Sequence, residues 1–370
     1  MRGVPAAAWD ALFPADYPFT RHAFLSALET HGCVSADKGW QPCHLLLEDA
    51  QGTLIAAAPR YRKSHSYGEF VFDFAWARAS GELGKPYYPK QVCAIPFTPA
   101  TGPRLGARDA EVRAQLLTAL KQDWGASGDS SAHALFVDEA TAQAFQHAGA
   151  LIRLDVQFHW RRADEINFTG FLARLNHDKR KKILRERRRV TEAGIRFETR
   201  HGDELGEAQW AEVFALYSNT YEERGQPPYL NLAFFLDYGR MPGTPLRLIL
   251  GYENQRLIAC AITVVGGETL YGRHWGCAEK FHSLHFEACY YQGIEFCLGE
   301  GLMHFDAGAQ GEHKRTRGFS PVLTRSAHWL ADPRLHEAVA RFLQRESTAI
   351  EQYREELIKH APFRHEATLG

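Results

Sequence analysis

Two stretches of the chain set out apolar and polar positions in the same order. Residues 45–58 read LLLEDAQGTLIAAA, residues 248–261 read LILGYENQRLIACA, and the two align without a gap. Leu45, Leu47, Leu54, Ile55, Ala56 and Ala58 return as Leu248, Leu250, Leu257, Ile258, Ala259 and Ala261. An apolar run, a polar turn and a second apolar run of small residues spell a β-hairpin. After the first hairpin the pattern predicts a helix over 69–80, the segment Tyr87-Tyr88-Pro89-Lys90 and a strand over 92–97. Around the second it predicts a strand over 270–275, a helix over 283–299 and a strand over 303–305. Repetition of one unit gives two α/β domains on mixed sheets. Leu, Ile and Ala are common residues, so two unrelated hairpins stand as the competing explanation. A helix over 141–147 ends at Gly149 and a strand over 151–160 follows, which sets the boundary near residue 150. The expected domains are 1–150 and 151–332. Residues 333–370 form a C-terminal helix whose Leu335, Val339, Phe342, Leu343, Ile350 and Leu357 keep a helical period and pack on the body.

A helix is also predicted over 168–193, with Phe168, Phe171, Leu172 and Leu175 on its apolar face and Gly194 as its C-cap. Its middle is intensely basic: Lys179, Arg180, Lys181, Lys182, Arg185, Arg187, Arg188 and Arg189, relieved only by Glu186. Such a run wraps most of a helix, so its cations repel one another unless an anion or nearby carboxylates compensate. Two readings stand: a polyanionic partner such as RNA or a diphosphate, or a solvated face neutralised by Glu186, Glu192 and acids from elsewhere.

Composition narrows the class. With 45% hydrophobic and 12% aromatic residues in 370, the chain has enough apolar surface for two medium cores. Lys plus Arg number 43 against 44 Asp plus Glu, so no global field draws it to nucleic acid or membrane, and any anion site is local. Seven scattered cysteines without a Cys-x-x-Cys pair argue against a disulfide framework and for reduced thiols in the cytoplasm. The first ten residues are too weakly apolar for a signal peptide, and no run of about 18 apolar residues is present to span a bilayer. A cytoplasmic protein is expected; its oligomeric state is not written in the sequence.

The predicted strand over 303–305 opens onto Asp306-Ala307-Gly308-Ala309-Gln310-Gly311-Glu312-His313-Lys314. Turns need glycines but not this density of acid, base and donor groups, which makes the loop the first candidate for chemistry. Acyl transfer to an amine needs a base, an oxyanion stabiliser and a grip on both reactants. His313 or Glu312 suits the base, and His274 on the neighbouring strand is a second candidate. Lys314 or backbone N–H groups near Gly308 and Gly311 suit the oxyanion, Gln310 a carbonyl, and Asp306 a substrate ammonium. Tyr87, Tyr88 and Lys90 belong to an aromatic strip that fits an acceptor with sugar rings or an apolar chain, and fits a buried domain interface equally well. His282, His285 and Cys289 share a helical face, but no further ligand completes a metal site and core packing accounts for Cys289, so no metal is expected. His-Glu-x-x-His, Gly-x-Ser-x-Gly and P-loop motifs are absent.

Several of these residues carry a resemblance. Phe171-Leu172, Leu175, Arg180-Lys181 and Ile183 before Gly194-Ile195, then Phe214, Tyr217 and Thr220 to Arg224, form its first part. Trp275-Gly276, Ser283, Phe286, Gly301 and Phe305-Asp306-Ala307-Gly308 form its second. In this order they resemble the Fem-type aminoacyltransferases and FemAB-like proteins over roughly residues 160–330. Tyr67-Gly68-Glu69-Phe70, Phe72-Asp73, Tyr87-Tyr88-Pro89-Lys90 and Pro96-Phe97-Thr98-Pro99 resemble a bacterial branch labelled as peptidoglycan biosynthesis or recognition.

The resemblance implies two tandem GNAT-type folds, each a mixed central sheet flanked by helices. Fem proteins pass an amino acid from aminoacyl-tRNA to an amine of a peptidoglycan precursor, whereas ordinary GNAT enzymes use coenzyme A. It therefore implies an acyl- or aminoacyltransferase, with a non-catalytic cell-wall recognition protein as the alternative. The implied co-substrate is aminoacyl-tRNA or acyl-CoA, with no tightly bound cofactor. The implied acceptor is a small-molecule or cell-wall-precursor amine. Ser283 and Trp275 join the substrate-binding candidates, and Lys179, Arg180 and Lys181 those for tRNA. Two departures stand out. Ala307-Gly308 replaces the usual Gly-Gly, with Lys314 the candidate for the lysine that follows. Residues 278–282 lack the Gln/Arg-x-x-Gly-x-Gly/Ala pyrophosphate loop, which favours tRNA over coenzyme A.

Overall fold

The computed structural model describes residues 1–279, 281–309 and 311–363. Two compact units emerge, one of residues 1–156 with 323–353, the other of residues 157–322 with the segment from 354 onward. The expected cut at 150 thus becomes an exchange of segments. Residues 325–330 pair antiparallel with Ser131–Val137 and belong to the first sheet, not to the second domain. Leu335, Val339 and Leu343 of the helix Pro333–Lys359 pack with Trp76, Tyr87 and Leu330, so most of the predicted tail is first-unit core.

In the first unit, Trp40–Pro42, Arg60–Lys63, Lys90–Cys93, Ser131–Val137 and residues 325–330 lie side by side. Successive pairs run antiparallel, antiparallel, parallel and antiparallel. The hairpin Leu45–Glu48 with Leu54–Ala58 turns aside to form a second, three-stranded sheet with Gly106–Ala107. Pro59 sits at the break, where a residue without an N–H interrupts a ladder most easily. The helix expected over 69–80 begins only at Phe74, because Glu69 and Asp73 are drawn into the interior from a preceding loop.

In the second unit, Leu246–Glu253, Arg256–Gly266, Thr269–Cys277, His304–Asp306 and residues 159–161 repeat that order of directions. Ile195–His201 adds an antiparallel edge strand. The recurring hairpin here runs straight through the main sheet, with no proline to divert it. The pattern predicts one helix over 168–193, but the structure holds two, Phe168–Arg174 and His177–Glu192. Leu175 is extended and bridges to Phe363, and Asn176 caps the new helix by accepting from the Lys179 N–H at 3.1 Å.

The helix Glu207–Glu222 lies so close to Thr269–Cys277 that Thr220 Oγ1 donates to the Trp275 carbonyl at 2.7 Å and Asn219 Nδ2 to the Cys277 carbonyl at 3.3 Å. Gly276 makes this approach feasible: a Cβ there would stand 2.1 Å from the Leu216 carbonyl oxygen. Gly276→Ala is therefore expected to lower the unfolding free energy by about 1–3 kcal/mol in denaturant titration. Gly299→Ala, with open space around its helical position, should leave it unchanged or raise it.

Candidate functional site

In an α/β sheet the open ends of parallel strands are natural places for a ligand, because no neighbour covers the last backbone groups. His304–Asp306 and Thr269–Cys277 are the parallel pair of the second unit, and their pairing ends at Tyr271 opposite Asp306. The longer strand continues while the chain leaves at Asp306 into the polar loop. The loop passes close to Gly272, where a Cβ would make ordinary contact with the Ala307 Cα at 3.4 Å and a tighter one with the Phe305 ring at 3.3 Å. The register shift between Ile262 and Thr263 leaves Arg273 bulged in the same strand, a distortion common beside active sites.

Asp306 and Lys314 form the centre of the loop. Asp306 is buried; its Oδ1 accepts from the Gly308 N–H at 2.8 Å, and His159 Nε2 stands 3.5 Å from the same oxygen. Its Oδ2 is buried without a hydrogen-bond partner among the described residues, an acceptor left open toward a donor. Lys314 is 1% exposed and donates from Nζ to the Gly308 carbonyl. Burial pushes its ammonium down to about 8 against the pull of the Asp306 carboxylate. Gly308, at φ 86°, supplies the left-handed turn that brings its N–H to one group and its carbonyl to the other.

His313 is exposed, and its Nε2 meets the Tyr290 hydroxyl at 2.7 Å. Partial burial and the cations Arg317, Lys314 and Lys182 lower its proton affinity, so it stands neutral and able to accept a proton at neutral pH. Glu312 is exposed one residue earlier. Gly311, at φ 110°, opens the 3₁₀ turn Glu312–Arg317 that carries both. Gln310 lies outside the described residues.

The structure does not bring His274 to this group. Its ring packs against Tyr217, centroids 4.9 Å apart, while the next residue, Trp275, meets His285 at 5.3 Å. Burial, then Arg273, pushes His274 down to about 3, too weak a base for the expected role. Ser283 is buried with φ 71°, and its hydroxyl is engaged by His282 Nδ1 at 2.6 Å, which makes it a turn residue.

Tyr87, Tyr88 and Lys90 are corrected more strongly. They belong to the first unit, where Lys90 is fully buried. Lys90 Nζ donates to Ser66 and Glu69, both at 2.8 Å, and to Asp73. The Tyr87 hydroxyl donates to Asp73 at 2.7 Å, and that of Tyr88 meets Ser66 at 2.8 Å. Of the two readings of the aromatic strip, the interior one describes Tyr87 and Lys90.

The basic helix divides its cations. On its inner side Glu186 binds Arg317 through both carboxylate oxygens, at 2.7 and 3.1 Å, and accepts from Tyr291. Arg317 also donates to the His313 carbonyl at 2.8 Å and lies 3.4 Å over the Phe286 ring. Arg187 engages Glu287 and Glu295. Lys179, Arg180, Lys181, Arg185 and Arg188 have no side-chain hydrogen bond or ion pair with another described residue. Lys181, Arg185 and Arg188 are exposed. Sequence reasoning missed Arg317; the signal was Glu186, a lone acid in a cationic run.

Comparisons with known proteins place the chain in a family and a fold. A family model described as FemAB-like, peptidoglycan biosynthesis/recognition, matches residues 1–365. The chain belongs to the FemAB-like family. Its fold is that of FemX, 11% identical with a TM-score of 0.53 over 91% of this chain and 98% of that one. It is shared by the C-terminal domain of a putative lysylphosphatidylglycerol synthetase from Agrobacterium fabrum, at 9% identity, TM-score 0.56, and 92% and 95% coverage. L-PGS from Bacillus licheniformis follows at 9% identity, TM-score 0.52, and 86% and 95% coverage. These likenesses establish the shared fold, in which this chain forms two mixed α/β units. No curated protein matches the chain. Among the described residues of this FemAB-like chain, no helix is long and apolar enough to cross a membrane.

Two measurements check the site. Replacing Asp306 with Asn removes the charge that favours the Lys314 ammonium, so Lys314 should titrate below its present value of about 8 when followed by the pH dependence of its reductive methylation. An unchanged titration would show that the two groups do not interact. Glu186→Gln leaves the Arg317 charge buried without its carboxylate and should cost about 3–5 kcal/mol of stability.

Proposed function

We propose that this FemAB-like chain transfers an aminoacyl group from charged tRNA to the amine of a cell-wall precursor, in the cytoplasm, at the loop 306–314. The observation that carries the proposal is the pairing of a buried carboxylate oxygen without a partner among the described residues, Asp306 Oδ2, with a buried lysine, Lys314, at the open end of a parallel strand pair.

Each group then has one task. Asp306 Oδ2 accepts a hydrogen bond from the acceptor amine and orients its lone pair. His313, neutral and exposed, takes the proton that the amine releases. As the new N–C bond forms, the carbonyl oxygen gains negative charge, which the Lys314 ammonium faces in a dry setting where it stabilises more than it would in water. Collapse of that intermediate breaks the ester C–O bond, and the tRNA 3′-oxygen leaves with the proton from His313. The exposed cations Lys181, Arg185 and Arg188 supply a phosphate-binding stripe, with Lys179 and Arg180 beside it. The missing glycine-spaced loop at 278–282 favours this donor over acyl-CoA.

A second reading, recognition of cell-wall fragments without turnover, is favoured by one detail. Asp306 and Lys314 both already hold the backbone of Gly308, as residues with a purely structural task would.

Purified protein incubated with aminoacyl-tRNA, and separately with a panel of acyl-CoA donors, in the presence of amine-bearing peptidoglycan precursors separates these readings by mass spectrometry of the acceptor. Transfer from tRNA is expected, with kcat reduced about 10²-fold or more in Lys314→Ala. Joint replacement of Lys181, Arg185 and Arg188 by Gln should raise KM for tRNA and flatten its salt dependence while kcat is kept. Binding of precursor with no transfer from either donor class would establish the second reading.

A further inference from the structure

The first unit contains a chain of buried polar groups that the proposed reaction does not use. At one end lie Lys90, Glu69, Asp73 and Lys63. Lys90 bridges Glu69 and Asp73, and Lys63 stands 4.0 Å from Glu69 and 3.8 Å over the Trp40 ring. From Asp73 the hydrogen bonds continue outward. The Tyr87 hydroxyl donates to Asp73 and lies 3.4 Å from His133 Nε2, which also meets Ser131 at 2.8 Å. His133 Nδ1 meets His328 Nδ1 at 2.7 Å, and His328 Nε2 meets Ser326 Oγ at 2.8 Å. Ser326 lines a surface pocket with Phe70, Phe72, Phe136, Arg153 and Asp155.

The pocket is a built feature of this unit. Phe136 sits where the register with the 325–330 segment shifts, and both Phe136 and Phe70 adopt positive φ, 54° and 59°. Bulky residues hold that conformation only when their surroundings impose it, and such strain gathers at functional places.

We propose that the first unit holds a proton relay, Ser326–His328–His133–Tyr87–Asp73, joining solvent at this pocket to the buried cluster of Glu69, Lys90, Asp73 and Lys63.

The proton count supports a wire. Burial keeps both imidazoles neutral, with His133 down to about 3 and His328 well below its ordinary value, so exactly one N–H lies between the two Nδ1 atoms. For one proton to leave, the Tyr87 hydroxyl turns from Asp73 to His133 Nε2 and passes its proton there, the His133 Nδ1 proton moves to His328 Nδ1, and the His328 Nε2 proton to Ser326. Ser326 releases its own proton to water, and Tyr87 is refilled from Asp73, which draws through Lys90 on the Glu69 carboxyl. Every residue that gives a proton receives one, except Glu69, which ends as a carboxylate, and each imidazole ends in its other tautomer. The chain is then set for the reverse passage and no ring has to flip. A conduit that alternates exit and entry suits a group that charges and discharges. Burial, opposed by Lys90 and Lys63 and reinforced by Asp73, raises Glu69 to about 7, where it does so near neutral pH. Arg153 is the other charge facing His328, and Tyr88 the other titratable group beside Lys90.

Time-resolved infrared spectroscopy tests the relay independently of any transferase activity. A pH jump from above to below about 7 should make a protonated-carboxyl band appear, assigned to Glu69 by its loss in Glu69→Gln. Ser326→Val closes the mouth, and His328→Asn keeps a group at the Nδ1 position while removing the Nε2 link. Both should slow the band by about tenfold or more without changing its final amplitude. Amide hydrogen exchange in Ser131–Val137 monitors opening of the unit, and if His328→Asn fails to fold, Ser326→Val carries the test. Unchanged rates in the folded variant, or no Glu69 band in the wild type, would overturn the relay.

Discussion

The second unit is organised around the contact between Glu186 and Arg317. Both side chains are buried, and each satisfies the other through two hydrogen bonds, with Tyr291 closing the remaining site. An isolated charge in that position would be too costly to retain, so neither group has a tolerable alternative. The consequence is positional. The basic helix, the helical segment bearing Tyr291 and the turn Glu312–Arg317 are tied at one point, and Arg317 holds the His313 carbonyl from the same guanidinium. The turn cannot drift without breaking the pair, and the turn carries Lys314. The chemistry proposed for the loop is therefore set by an ion pair that never touches a reactant.

The same contact explains how one helix carries so many cations. Glu186 and Arg187 face inward and find partners on other elements, so the inner side is neutralised locally. Lys181, Arg185 and Arg188 face solvent, where water screens their repulsion. Of the two readings open at the sequence level, the structure bears out neutralisation by acids on the inner side. Carboxylates from elsewhere account for the inner side, and the outer stripe is left available to a polyanion.

What could be read in the sequence was whatever depends on local pattern. The hairpin repeat, Leu45 to Ala58 against Leu248 to Ala261, led to two units, and the strand directions recur in both. The density of polar groups after Phe305 located the loop. Features that depend on distant partners were not legible. Lys90 could be read as ligand-facing or as interior with equal ease because Glu69 and Asp73, 21 and 17 positions away, give no periodic sign that they reach it. The helix over 168–193 looked continuous because its apolar spacing carries through Leu175, and the break shows only in Asn176, a residue type that caps helices. The exchange of segments between units has no sequence signature, because a strand reads the same whichever sheet it joins.

The buried lysines Lys63, Lys90 and Lys314 show one rule at work in both units. Burial alone pushes each ammonium down, and what differs is the carboxylate within reach. Lys90 touches two, and their attraction overcomes burial and raises it. Lys63 has Glu69 at 4.0 Å, Lys90 nearby as a repelling charge, and falls to about 7. Lys314 has Asp306 as its supporting carboxylate and falls to about 8. A lysine held by two acids stays charged at physiological pH, even where it hands a proton from one acid to the other. A lysine with one acid at a distance sits close to its titration point, where it stabilises a developing negative charge without being locked into a ground-state ion pair. By this measure Lys314, not the more conspicuous Lys90, has the electrostatic setting that suits the task proposed for it.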